Sequence, residues 1–170
     1  KYLDANVAHD IVLYADINES DVAAVFYTWK NNTGSTEITI DLNGYELSCT
    51  SDSYGTLFIT KKGTAVTIID SVGSGKISGE FAGVVIENAS LTIDGLTISG
   101  IRAVDAYSGS TVTISGSTIS GNIYGVGVTQ SSTVTIHDSN ISGNNYGVYI
   151  DNSIATISGS TISGNGYGIY

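Results

Sequence analysis

The chain has 170 residues, of which 41% are hydrophobic and 13% charged, with no proline or methionine. Its net charge of −10, with five lysines and one arginine, leaves no basic stripe for a nucleic acid. No apolar run approaches the roughly 18–20 residues that span a bilayer, which argues against membrane insertion. Cys49, the lone cysteine, excludes an internal disulfide. A start at Lys1 with no signal-like segment after it reads as a processed chain or a fragment.

In chain order, residues 1–35 stand apart. "KYLDANVAH" predicts a cap over an open core, with a short helix at residues 2–9. "DIVLYADI" (Asp10 to Ile17) and "AAVFYTW" (Ala23 to Trp29) read as strands of an irregular first rung. Terminal repeats of a stacked structure depart from consensus because they present a polar outer surface.

Residues 36–170 repeat themselves. "LTIDGLTISG" (from Leu91), "VTISGSTISG" (from Val112), "VTIHDSNISG" (from Val134) and "ATISGSTISG" (from Ala155) follow at steps of 21, 22 and 21 residues. Looser copies lie upstream, "ITIDLNGYELSC" from Ile38 and "VTIIDSVGSGKISG" from Val66. Within a copy, three short pieces alternate apolar and polar: Val112 and Ile114 share a face, Ile119 points in between Thr118 and Ser120, and Val126 and Val128 point in. Such pieces are too short for helices. A period of 21–22 residues with three strands is one circuit of a coil, and stacked circuits pair each strand in parallel with its copy about 4.8 Å away.

Columns of equivalent residues follow. Ile40, Ile68, Ile93, Ile114, Ile136 and Ile157 form an apolar column inside; Thr39, Thr67, Thr92, Thr113, Thr135 and Thr156 form a hydroxyl column outside. Asn122, Asn144 and Asn165 recur at one corner, where asparagine tolerates a left-handed backbone and its amide can bond its stacked neighbour. Tyr124, Tyr146 and Tyr167 make an aromatic column, with Tyr149 and Tyr170 a shorter second one. The fold class is therefore all-β: a single-stranded parallel β-helix of about six to seven rungs with three short strands each. It forms one continuous domain over 36–170.

The recurring "STISGN-YGV" phrase and the "ITIDLNGYEL" opening resemble right-handed parallel β-helix repeat proteins of the pectin-lyase-like architecture. The likeness is strongest to repetitive adhesin-like and sheath or envelope proteins of bacteria and methanogenic archaea. It covers residues 36–170 and implies a right-handed coil, in keeping with the general crossover preference. Enzymes of this architecture use carboxylate clusters, often with calcium and a basic residue. Here the acids of the regular rungs, Asp70, Glu80, Glu87, Asp94, Asp105, Asp138 and Asp151, occupy different registers. Asp94 and Asp138 lie near one corner two rungs apart, about 10 Å, a separation that on distance alone suits inverting hydrolysis. Arg102 and Asp105 read first as an exposed ion pair and His137 as a solvated turn residue.

The tyrosine columns, Tyr124, Tyr146, Tyr167 and Tyr149, are either a stacking ladder or a platform for sugars. The threonine column invites an ice-binding reading, but the neighbouring positions, Ser90, Thr111, Thr133 and Ile154, break the regularity. Cys49 sits at a corner, an inert thiol or a disulfide partner for another chain. Ile157, Ile162, Ile169 and Tyr170 form a candidate assembly end, because the last rung of a coil presents apolar side chains and unpaired strand edges.

Together these features predict a non-enzymatic extracellular structural module of a cell-surface adhesin, sheath or envelope layer. No cofactor is expected. Its expected partners are copies of itself or adjoining segments of a longer surface protein, and glycans. A polysaccharide lyase or hydrolase, or a carbohydrate-binding β-helix, is the alternative.

Overall fold

A computed structural model describes residues 9–19, 24–26, 36–50, 55–60 and 62–170. All regular structure among them is strand, arranged as three seven-stranded parallel sheets. The first sheet runs His9–Val12, Thr36–Asp41, Thr64–Ile69, Ser90–Asp94, Thr111–Ser115, Thr133–His137 and Ile154–Ser158. The second begins at Ile17–Glu19 and ends at Thr161–Ser163; the third begins at Ala24–Phe26 and ends at Tyr167–Ile169. Consecutive strands belong to different sheets, and each strand pairs with its counterpart one rung away. This is a parallel β-helix.

The register reproduces the predicted columns. Ile40 pairs with Ile68, Ile68 with Ile93, and so on through Ile114, Ile136 and Ile157. Ile68, Ile93, Ile114 and Ile136 are fully buried. Each such side chain contributes about 1.5–3 kcal/mol relative to exposure. The second sheet adds Ile77, Ile98, Ile119 and Ile141, and the third adds Val84, Val104, Val126 and Val148. Alternation holds in the first two sheets, where a one-residue slip would turn the apolar side chains outward, while strands of the third sheet bury consecutive residues such as 103–106.

The step between rungs is not uniform. Ile38 pairs with Val66, 28 residues on, and Val66 with Leu91, 25 residues on. From Leu91 the spacing settles to 21 or 22. Longer corners account for the difference, as at Asn43 and Gly44, which take φ of 49° and 82°.

Two expectations need correction. "DIVLYADI" is not one strand: His9–Val12 joins the first sheet and Ile17–Glu19 the second, with a corner between them that buries Leu13. At the later corner the left-handed residue is glycine (Gly121, Gly143 and Gly164, φ 76°, 69° and 63°), while Asn122, Asn144 and Asn165 keep ordinary backbone angles. Glycine has no Cβ to clash in that region, so it takes the strained position and leaves asparagine free to turn inward. The helix expected at residues 2–9 falls almost wholly outside the described residues, as do residues 23 and 27–29 of "AAVFYTW".

Every corner after residue 88 carries a ladder of neutral side-chain acceptors. Leu96 N–H donates to Ser117 Oγ (3.2 Å), Ser117 N–H to Ser139 Oγ (3.2 Å) and Ser139 N–H to Ser160 Oγ (3.1 Å). A second serine ladder runs from Ser110 through Ser132 to Ser153, both bonds 3.1 Å. At the third corner Gly100, Asn122 and Asn144 donate N–H groups to the Oδ1 of Asn122, Asn144 and Asn165 (2.7, 3.0 and 2.9 Å). Asn122 and Asn144 are 5% and 3% exposed, so these bonds meet groups that water cannot serve.

Candidate functional site

The third sheet carries the chain's most distinctive surface. Tyr124 pairs with Tyr146, and Tyr146 with Tyr167, on the outer face. Their rings stack at 5.1 Å between centroids, with planes 8° and 11° apart. Tyr149 and Tyr170 stack beside them at 5.7 Å and 11°, and the two columns meet edge to face at 5.3–6.0 Å. Edge-to-face contact sets the positive rim of one ring against the negative face of another. Desolvation, and then the phenols of Tyr124 and Tyr167, push the ionisation of Tyr146 above the ordinary tyrosine range.

Two features of the backbone make this array fit. A Cβ on Gly125 or Gly147 would lie 2.5 Å from the carbonyl oxygen of Gly147 or Gly168, so the residues after Tyr124 and Tyr146 must be small for adjacent rungs to close up. Arg102 precedes Tyr124 in the column, and its guanidinium carbon lies 5.3 Å from the ring centroid. It therefore caps the aromatic stack with a cation. Its Nη1 also donates to Asp105 Oδ2 at 2.7 Å. In the first column both ring faces of Tyr124 and Tyr146 are turned toward neighbours, which favours a stacking ladder over a row of sugar platforms.

The second column has a gap. Tyr149 pairs with Gly127 one rung back, and Gly127 with Asp105. Arg102, Asp105, Tyr124, Gly127, Thr129 and Tyr149 enclose a hollow of about 190 Å³ there. The sequence offered a signal for it: "YGVGV" differs from "YGVYI" by glycine in place of the second tyrosine. Comparing columns rather than counting tyrosines would have found the hollow.

Asp94 and Asp138 stand two rungs apart at one corner, in adjacent columns. Asp94 accepts from the Ser115 hydroxyl at 2.6 Å. Asp138 lies in the next column, level with Gly116 and Gly159, and takes φ of 53° where those glycines take 55° and 57°. Its place is explained by the turn. His137 Nδ1 approaches Asp138 Oδ2 at 3.3 Å, both side chains being well exposed. Among the described residues there is no group of three or more His, Cys, Asp and Glu side chains that could hold a metal ion. No helix among them is long and apolar enough to cross a membrane.

Cys49 is 2% exposed and packs in the core, beside a depression on the second face that includes Glu46, Ser78 and Glu80. A disulfide to another chain would require this corner to open. The threonine column is continuous from Thr39 to Thr156, while the column beside it reads Ala65, Ser90, Thr111, Thr133 and Ile154. In the last rung Ile157 and Ile162 are partly buried, and Ile169 and Tyr170 are 58% and 61% exposed.

Carboxylates are engaged instead at the upstream corners. Asp41 Oδ1 accepts from the N–H groups of Asn43 (2.8 Å) and Ser71 (3.0 Å). Asp70 accepts from the N–H groups of Gly44 (2.6 Å), Val72 (3.4 Å) and Gly75. Glu46 accepts from the Ser78 hydroxyl and pairs with Lys76 at 3.0 Å. The Ser71 N–H holds Asp41 below the usual carboxylate range, and the Ser78 hydroxyl followed by Lys76 does so for Glu46. Desolvation opposes ionisation of Asp70, but the surrounding backbone N–H groups outweigh it and lower its pKa.

A family model described as "Right handed beta helix region" matches residues 57–170, more than half of the chain. No curated protein sequence and no solved structure matches it.

Proposed function

Since the chain belongs to the right-handed β-helix family, we propose that it serves as a rigid, non-catalytic module of a cell-surface adhesin, sheath or envelope layer. The observation that carries this reading is the continuity of the columns. Isoleucine inside, threonine outside, and serine or asparagine at the corners each recur in register, rung after rung. Residues that specify rung-to-rung contact dominate, as expected of a part whose task is to hold a length and a shape. Ile157, Ile162, Ile169 and Tyr170 extend the same columns. A further rung in register, from this chain or a neighbouring molecule, would cover them.

Antibody labelling of intact cells that produce the protein tests the placement. Surface signal without permeabilisation is expected, and protein confined to the cytosol would overturn the reading. The enzymatic alternative is checked by incubating the chain with uronate-rich polysaccharides, with and without calcium. No release of unsaturated or reducing ends is expected. Turnover that disappears in Asp105→Asn or Asp94→Asn would replace a structural role with a catalytic one.

A further inference from the structure

We propose that the hollow over Gly127 is a binding site for one neutral hexopyranose residue of a glycan. The argument begins with the interrupted column. Tyr149 stacks on Tyr170 on one side, and the residue in register on its other side is Gly127, so the gap is one ring wide. A hollow of about 190 Å³ is well below the roughly 300–1,000 Å³ of clefts for drug-sized ligands, which limits the occupant to a single ring.

The lining selects the kind of ring. Tyr149 offers the ring face that is not stacked on Tyr170, and its negative charge attracts the weakly positive C–H groups on the apolar side of a pyranose, while Tyr124, its faces taken by Arg102 and Tyr146, adds a ring edge. At the opposite end Asp105, 9% exposed, commits Oδ2 to Arg102. Its Oδ1 lies 3.1 Å from the place a Cβ on Gly127 would take, so it faces the gap and can accept from a sugar hydroxyl. The remaining guanidinium N–H groups of Arg102 and the Thr129 hydroxyl supply donors for sugar oxygens. The arginine and the aspartate neutralise one another, so the site favours a neutral sugar over a uronate. This site differs from a platform along the tyrosine column, whose ring faces are turned to one another.

The test is saturation-transfer NMR on the whole chain with methyl glycosides of glucose, galactose and mannose, and with glucuronate for comparison. Transfer from the tyrosine rings to the ring protons of at least one neutral glycoside is expected, with glucuronate giving less. Gly127→Tyr continues the second column and fills the gap, and should reduce the signal at least tenfold. Gly127 has an ordinary backbone angle and its nearest obstacle is a side-chain oxygen, so the variant can fold. Tyr149→Ala should also lose the signal, and Tyr167→Ala should keep it within about twofold. Absence of transfer to every neutral glycoside, unchanged transfer in Gly127→Tyr, or preference for glucuronate would each overturn the proposal.

Discussion

At the corner that follows Asp41, backbone N–H groups are met by carboxylates of Asp41 and Asp70; at the same corner from Leu96 onward they are met by serine hydroxyls. The fold is continuous across this change, and the sheets run through it without interruption. The upstream corners are longer and enclose more backbone, which calls for acceptors able to serve several donors at once. A carboxylate does this, with two oxygens and about four lone-pair sites. The shorter downstream corners present one N–H each to the ladder, and a hydroxyl or amide oxygen suffices. The backbone N–H groups of the upstream corner therefore depend on ionised acceptors, and those of the downstream ladders do not.

The largest effect is expected from breaking a downstream ladder in its middle. Asn144→Ala removes the acceptor for both the N–H and the side-chain amide of Asn122 and the donor to Asn165. Leaving such buried groups unmet costs about 1–3 kcal/mol each. A loss of about 2–4 kcal/mol, or roughly 5–15 °C in Tm, should appear in thermal and denaturant unfolding.

Acid should separate the two regions. Asp41, Glu46 and Asp70 have folded pKa values below their ordinary ones. Their contribution is complete above the unfolded carboxylate pKa, about 4, and is lost as pH falls through the lower folded values. Hydrogen exchange, corrected for intrinsic rate, should show amides of Asn43, Gly44, Ser71 and Gly75 losing protection about tenfold as this happens. Those of Leu96, Ser117 and Asn122 should hold. Equal loss in both regions would show that the neutral ladders do not isolate the downstream rungs from acid.

The smallest effect is expected at the end of the tyrosine stack. Arg102→Ala removes a cation–π contact and the charged partner of Asp105, whose side chain is 12% exposed, and should cost about 1–2 kcal/mol. A double-mutant cycle with Asp105→Asn measures the pair alone. A larger coupling would mean that the aromatic array depends on its cationic cap.

Much of this was legible from period-two alternation and the repeat. Once "VTI" and "TIS" are aligned, the isoleucine, threonine and tyrosine columns follow, because parallel stacking admits one register that keeps apolar side chains inside. Corner chemistry was harder to read. In "GN" both residues tolerate a left-handed backbone, and nothing local to the dipeptide shows that glycine takes it while the asparagine amide is buried. Asp70 read as one of several acids in differing registers, since one of its donors, the Gly44 N–H, lies 26 residues away on the adjoining rung. The hollow at Gly127 arises from a residue the repeat lacks, and a search for recurring residues passes over it.

The ladders also say something about inheritance. Each downstream rung offers acceptors to the rung before it and N–H donors to the rung after, always 21 or 22 positions apart. An in-frame duplication or deletion of one such unit would join old neighbours to identical ones, with no mismatched corner to repair. Rod length can thus vary between relatives by whole steps of 21 or 22 codons, whereas a change of half a step would set serine against isoleucine and end the coil there.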